Sequence, residues 1–195
     1  MNVPKLKGVR PQSMTVVLEG ISPMVQHQWS EKAKKAMLDK KQGKKTKNRE
    51  PCDPETEFIA AAYKTAGGKY AIPATAVKKA IITAAHKDLG IEKTLVKKSL
   101  FVLADETGMI ELDCGEPTMR QDVVRVGMGS TDLRYRPEFA EWCVTAEIQY
   151  DAENLRTDDI VTLLDRAGFG VGLGEMRPER GGDYGRFRVK EHVAA

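Results

Sequence analysis

Residues 168–189 read Gly-Phe-Gly-Val-Gly-Leu-Gly-Glu-Met-Arg-Pro-Glu-Arg-Gly-Gly-Asp-Tyr-Gly-Arg-Phe-Arg-Val, with seven glycines between Gly168 and Gly185. Glycine lets a backbone approach a ligand closely, and arginine binds phosphate and stacks on flat rings. A helical pattern over 157–167 precedes this glycine-rich segment and a strand pattern over 185–189 follows it. The segment therefore predicts a contact with a nucleic-acid backbone through Arg177, Arg180, Tyr184 and Arg186, and a mobile hairpin is the alternative.

The rest of the chain alternates between strand and helix patterns. Apolar residues recur at helical spacing from Val77 to Ala85, where Pro73 and Thr75 open a helix that Gly90 ends. Thr157 is expected to cap the last helix, and a hairpin is expected around Gly67 and Gly68. Strands are predicted over 14–22, 100–103, 109–112, 123–126 and 142–150.

This order of elements, with runs of antiparallel strands, indicates an α+β protein. The best match is a ferredoxin-like (RRM-like) antiparallel sheet with helices on one face, plus an inserted hairpin and a basic loop. We expect a flexible N-terminal arm over residues 1–13, a single domain over 14–190 with the basic loop inserted at about 39–52, and a tail over 191–195.

Positive charge is concentrated at the start of the chain. Residues 1–50 hold twelve basic and four acidic residues, a net charge of +8, whereas the remainder holds nineteen and twenty-four, a net charge of −5. Such polarity hints at a polyanionic partner. The basic loop contributes candidate phosphate contacts, and the helix after Pro73 adds two more. These candidates are Lys44, Lys45, Lys47, Arg49, Lys78 and Lys79.

Several classes of protein are disfavoured by the composition. Cys52, Cys114 and Cys143 are scattered and odd in number, so neither a disulfide framework nor a zinc site is indicated. No apolar run reaches the roughly 18 residues of a membrane span, and residues 1–7 lack the apolar core of a signal peptide. We therefore expect a cytoplasmic protein without membrane contact, cofactor or metal.

Particular stretches resemble known proteins. Glu31-Lys-Ala-Lys-Lys-Ala-Met-Leu38, Ile72-Pro-Ala74, Gly127-Met-Gly-Ser-Thr-Asp-Leu-Arg-Tyr-Arg136 and Gly174-Glu-Met-Arg-Pro-Glu-Arg180 are similar to a group of phage and prophage proteins. The helix, glycine-rich loop and strand at the end of the chain resemble the RAMP superfamily, the RNA-binding CRISPR backbone and processing proteins. The resemblance implies a protein that binds single-stranded nucleic acid and polymerises along it.

An active site is not evident from the motifs. His27, His86 and His192 are the only histidines, none at metal-binding spacing, and neither a nucleophile elbow nor a P-loop is present. Some RAMP proteins cleave RNA with a histidine as general acid or base, so His27 or His86 keeps that alternative open. We expect no catalytic residue.

The predicted function is sequence-tolerant binding of single-stranded RNA or DNA by a phage-encoded protein that assembles as a homo-oligomer or filament. Arg134, Tyr135 and Arg136 join the candidate contacts, with tyrosines stacking on bases. One alternative is a metal-independent RAMP-type endoribonuclease. Another is a protein-only interaction module or inhibitor that imitates a CRISPR subunit, with a phage or CRISPR-related protein as partner.

Overall fold

The computed structural model describes residues 8–29, 31–44, 53–126 and 129–194, without the side chains of residues 31–33, 40, 126 and 130. Nine strands and five α-helices lie in these ranges. The strands are β1 (Pro11–Gly20), β2 (Met24–Val25), β3 (Ala71–Pro73), β4 (Leu100–Val102), β5 (Met109–Cys114), β6 (Thr118–Val126), β7 (Ser130–Phe139), β8 (Trp142–Asp151) and β9 (Phe187–Ala194). The helices are α1 (Glu31–Lys41), α2 (Pro54–Ala61), α3 (Ala74–Leu89), α4 (Lys93–Ser99) and α5 (Thr157–Arg166).

The larger sheet has a ferredoxin-like connectivity. Its strands lie in the order β3-β5-β8-β1-β9, and β4 pairs with β8 on the same side as β5. All pairings are antiparallel. The path β1, α3, β4 and β5, β8, α5, β9 is therefore a β-α-β-β-α-β unit whose second strand is split in two. The predicted α+β fold with an antiparallel sheet is confirmed.

One face of this sheet forms the core under the helices. Alternate residues of β8 are buried, from Trp142 to Tyr150, while Thr145, Glu147 and Gln149 between them face solvent. The buried apolar residues of α3 and α5 belong to the same cluster as those of β1 and β8. The apolar residues predicted to recur from Val77 to Ala85 are buried in α3, and those from Ile160 to Leu164 are buried in α5.

A smaller sheet is built from two insertions. β6 and β7 form a nine-pair antiparallel hairpin, and β2 adds to the free side of β7. The segment rich in glycine and arginine that starts at Gly127 is strand from Ser130 onwards, because β6 supplies a partner for each of those residues. Around Gly67 and Gly68 the predicted hairpin is closed by a single bridge, Lys64 to Tyr70, while β3 pairs with β5 instead.

Element boundaries differ from the prediction at both termini and at α5. β1 starts at Pro11, inside the predicted arm, because its first residues pair with the end of β8. β9 continues through the predicted tail to Ala194, since β1 offers it partners as far as Met14. The residue at the N-cap of α5 is Arg156, which exchanges hydrogen bonds with Asp159, and Thr157 is the first helical residue. In the described ranges, every helix is too short or too polar to cross a bilayer.

Candidate nucleic-acid interface

The glycine-rich segment is a hydrogen-bonded structure. It begins as a π-helical turn over Ala167–Val171 and contains a 3-10 turn over Pro178–Arg180. The Leu173 amide donates to the Gly185 carbonyl at 2.9 Å, and the Tyr184 amide donates to the Met176 carbonyl at 3.1 Å. The Glu175 amide donates to Val25 in β2 at 2.8 Å. The segment therefore folds back on itself and is anchored to the smaller sheet.

A cleft of about 270 Å³ lies between this segment and α3. Its third side is the chain that leaves β2. The lining residues are Met24, Gln26, His27, Tyr63, Ile72, Pro73, Thr75, Ala76, Lys79, Ala80, Thr83, Val171, Gly172, Leu173, Gly174, Glu175, Arg177 and Glu179. The cleft thus joins the glycine-rich backbone to the first half of α3.

The α3 wall of the cleft is suited to an anion. No side chain caps the N-terminus of α3 and no acidic residue lies in its first turn. The Ala74 amide donates to the Gly108 carbonyl at 3.0 Å, so the positive end of the helix dipole has a backbone partner but no carboxylate to neutralise it. Thr75, Lys79 and Thr83 line the cleft at spacings of four residues, which places them in one row on the helix. Lys87 extends that row by one turn. The Lys79 ammonium makes no ion pair with any described residue.

The Glu179 carboxylate connects Lys87, at the far end of the row, to Arg177 in the glycine-rich segment. Glu179 accepts hydrogen bonds from Lys87 at 3.3 Å and from Arg177 at 3.0 Å, and Arg177 also donates to the Gly174 carbonyl at 2.9 Å. Burial opposes the charge on Glu179, but these hydrogen bonds outweigh it and lower the pKa of the carboxyl. Arg177 therefore fixes the shape of the segment.

A groove beside the cleft separates the segment from the β6–β7 hairpin. Asp122, Arg136, Glu175, Arg177 and Arg180 are among its lining residues. Arg136 is only 3% exposed; it donates to Asp122 at 2.8 Å and lies 3.9 Å from Glu175. Arg180 is exposed and has no ion-pair partner in the described part of the chain.

Arg120 organises the groove, a role that no sequence pattern indicated. It donates to Asp122 at 2.9 Å, to Glu138 at 2.8 Å and to the Tyr184 hydroxyl at 2.7 Å. Its guanidinium also lies over the Tyr184 ring at 4.8 Å. The hydrogen bond to Glu138, above all, raises the pKa of Arg120. Tyr184 and Arg136 thus have intramolecular partners that a ligand would have to share or displace.

His27 lies in the cleft with both ring nitrogens constrained. Arg134 approaches its Nε2 at 3.2 Å, and because arginine only donates, Nε2 accepts and the proton resides on Nδ1. Nδ1 is buried and finds no partner among the described residues. Burial, followed by the charge of Arg134, lowers the pKa of His27, so the ring is neutral at physiological pH.

The other predicted contacts are dispersed. Lys78 donates to the Lys97 carbonyl at 3.0 Å and lies over Phe101, and burial lowers its pKa. Lys44 pairs with Asp39. Tyr135 is cross-strand from Gln121, on the hairpin face opposite to Arg134 and Arg136. Lys45, Lys47 and Arg49 lie outside the described residues.

Arg186 has an aromatic neighbour that the sequence analysis did not single out. Its guanidinium lies 5.4 Å from the ring centroid of Phe169. An aromatic residue between two glycines, Gly168 and Gly170, is the sequence signal that could have identified it.

For metals, no group of three or more His, Cys, Asp or Glu side chains within the described ranges is arranged to hold an ion.

Two solved structures align with this chain. A chain in the cryo-EM structure of the type III-B Cmr-β complex bound to cognate target RNA aligns with a TM-score of 0.51 and 12% identity, over 94% of this chain. This chain spans 60% of that one. Cmr6 from Pyrococcus furiosus aligns over 93% of this chain and 100% of its own, with 10% identity and a TM-score of 0.48.

The first alignment shows that this chain shares its fold with a chain of that Cmr complex. No protein-family model matches the sequence, and no curated protein matches it either.

Proposed function

We propose that this protein binds single-stranded nucleic acid in the cytoplasm without cleaving it. The observation that carries the proposal is the cleft, which is lined by the first turns of α3, where no carboxylate lies, by the unpaired Lys79 and by the glycine-rich segment. Helix N-termini and lysine ammonium groups both attract phosphate. A glycine-rich wall leaves room for a polymer backbone to pass.

The row of side chains on α3 defines a path for the bound strand. Thr75, Lys79, Thr83 and Lys87 cover twelve residues of helix, about 18 Å at 1.5 Å per residue. Two hydroxyl groups alternate with two ammonium groups along this track; Lys79 is unpaired and can contact a phosphate, whereas Lys87 is already paired with Glu179. The fold likeness adds support, since the structure with the similar chain is that of a complex bound to target RNA.

The state of His27 favours binding over cleavage. A general acid or base must present a ring nitrogen to the reacting hydroxyl, whereas Nε2 of His27 is occupied by Arg134 and Nδ1 is buried. We accordingly expect labelled RNA to survive incubation with the pure protein in EDTA. Discrete products that disappear in a His27→Ala or His86→Ala variant would establish the ribonuclease alternative.

Two adjacent lysines provide a matched test. Lys79 lines the cleft, whereas Lys78 donates to the Lys97 carbonyl outside it. In fluorescence anisotropy with labelled oligonucleotides at several salt concentrations, Lys79→Ala should weaken binding for all sequences alike. It should also reduce the slope of log affinity against log salt by the contribution of about one phosphate contact. Lys78→Ala removes the same charge and should leave both quantities unchanged.

Equal effects of Lys78→Ala and Lys79→Ala would refute this location of the site. A folded wild-type chain that binds no strand at low salt would favour a protein-only interaction module instead. Side-by-side assembly of copies along a strand is part of the proposal. Electron microscopy with and without a long single-stranded oligonucleotide tests it, and particles of unchanged size would contradict it.

A further inference from the structure

Phe169 is presented to solvent by a rigid turn. The ring residue is 73% exposed, the most exposed aromatic residue in the described part of the chain. Its turn, Ala167–Val171, is closed by a hydrogen bond from the Gly172 amide to the Ala167 carbonyl at 2.8 Å. Ala167 and Val171 at its two ends are buried. The backbone is therefore anchored while the largest apolar side chain on it remains uncovered.

The glycines on either side of Phe169 add no side chain around its ring. Gly168 packs directly on Phe187 at the start of β9, and a Cβ there would overlap the Phe187 carbonyl. Gly170 lies beside Asp88 in the last turn of α3 and likewise carries no side chain that could cover the ring. The turn thus combines close packing at Gly168 with a largely exposed Phe169 ring.

Arg186 adds an available positive charge to this surface. Its backbone is fixed, since its amide donates to Ser22 Oγ at 3.0 Å and its carbonyl accepts from the Ile21 amide at 2.8 Å. The guanidinium lies over Phe169 and makes no ion pair with a described residue. An aromatic ring beside an unpaired guanidinium fits a ligand that has both a flat π surface and an adjacent negative charge.

The position of the turn relates this surface to the α3 track. Gly170 adjoins Asp88, and Asp88 follows Lys87, the last residue of the row that starts at Thr75. A strand that leaves the cleft along α3 would therefore reach Phe169 and Arg186 next. The charged neighbours, Arg186 and Asp88, favour a polar ring system over an apolar protein surface as the occupant.

We propose that Phe169 and Arg186 form a stacking site for one unpaired nucleobase at the end of the α3 track. The site rests on the proposed function and adds to it a specific contact. Stacking of a base on an aromatic side chain tolerates any sequence, because every base has a π face. The ring would hold the base, and Arg186 would lie between that base and its phosphate.

Three substitutions at one exposed position test the site. Phe169→Leu keeps an apolar side chain but removes the ring, and Phe169→Ala removes both. Each should weaken binding of a labelled single-stranded oligonucleotide by about 5- to 150-fold. Phe169→Trp should retain the affinity. Its emission, after subtraction of the wild-type signal from Trp29 and Trp142, should be quenched on addition of the oligonucleotide.

An abasic oligonucleotide separates stacking from a general loss of binding. On this probe the wild type and Phe169→Leu should bind equally weakly, because no base remains to stack. If the wild type binds the normal oligonucleotide and Phe169→Leu binds it equally well, the stacking site is refuted while the proposed function stands. If the folded wild type binds no oligonucleotide, the proposed function fails and the stacking site with it.

Discussion

Gly185→Ala is the substitution that best tests whether the glycine-rich segment is a fixed structure. Gly185 is buried and has a φ of 67°, a conformation that costs an alanine about 1–2 kcal/mol. A Cβ at this position would also overlap the Leu173 carbonyl. Gly181 is the matched control, because its φ is 81° but nothing lies within 4 Å of its Cβ position.

The difference between the two substitutions measures the packing of the segment alone. Both alanines adopt a left-handed conformation, so both should lose about 1–2 kcal/mol of unfolding free energy. In Gly185→Ala the new Cβ must also displace Leu173. This displacement would break the two backbone hydrogen bonds of residue 185, with Leu173 at 2.9 Å and with Pro23 at 2.7 Å. At about 1 kcal/mol each, these bring its total to about 3–4 kcal/mol.

Urea denaturation followed by circular dichroism gives both free energies. In a chain of this length, 1 kcal/mol corresponds to about 2–4 °C in Tm, so a thermal scan should show about 6–16 °C for Gly185→Ala and about 2–8 °C for Gly181→Ala. Equal losses for the two variants would refute the reasoning, because a mobile loop would accommodate either alanine in the same way.

Two further predictions concern His27 and the core. Because burial lowers the pKa of His27, the unfolded chain binds a proton more readily than the folded chain below about pH 6.5, so stability should fall as pH drops through that value. The Tm of His27→Gln should therefore vary less between pH 7.5 and 5.5 than that of the wild type. Parallel curves of Tm against pH for the two proteins would contradict the burial of the ring. Leu163→Ala should lower the unfolding free energy by about 2–5 kcal/mol through a cavity under α5, whereas the exposed Arg166→Ala should change it by less than about 0.5 kcal/mol in the same urea titration.

The fold was predictable where the signal is local and repeated. Val77 to Ala85 and Ile160 to Leu164 carry a full helical stripe, and β8 alternates over its whole length, so a few residues in each determine the element and its buried side. The end of β9 was not predictable from its own residues. Glu191 to Val193 are exposed, and their strand conformation comes from pairing with β1, which lies more than 170 residues earlier.

The site was only partly predictable for a related reason. The sequence identifies arginines that could bind phosphate but not the distant side chains that pair with them in the fold. Arg120 and Tyr184 are 64 residues apart, and Arg188 and Glu19 are 169 apart. Lys78 and Lys79 look equivalent in sequence, yet the helix turns one towards Lys97 and the other into the cleft.

The charge balance around the cleft determines how the protein should hold a strand. Four basic side chains are paired with a carboxylate, namely Arg120, Arg136, Arg177 and Lys87. Three others make no ion pair with the described residues, namely Lys79, Arg180 and Arg186. Three phosphate contacts give a slope of log affinity against log salt of only about −2 for a single strand. Much of the affinity would then come from stacking on Phe169 and from the shape of the cleft. A distinctly steeper slope would indicate additional phosphate contacts, for which Lys45, Lys47 and Arg49, outside the described residues, are candidates.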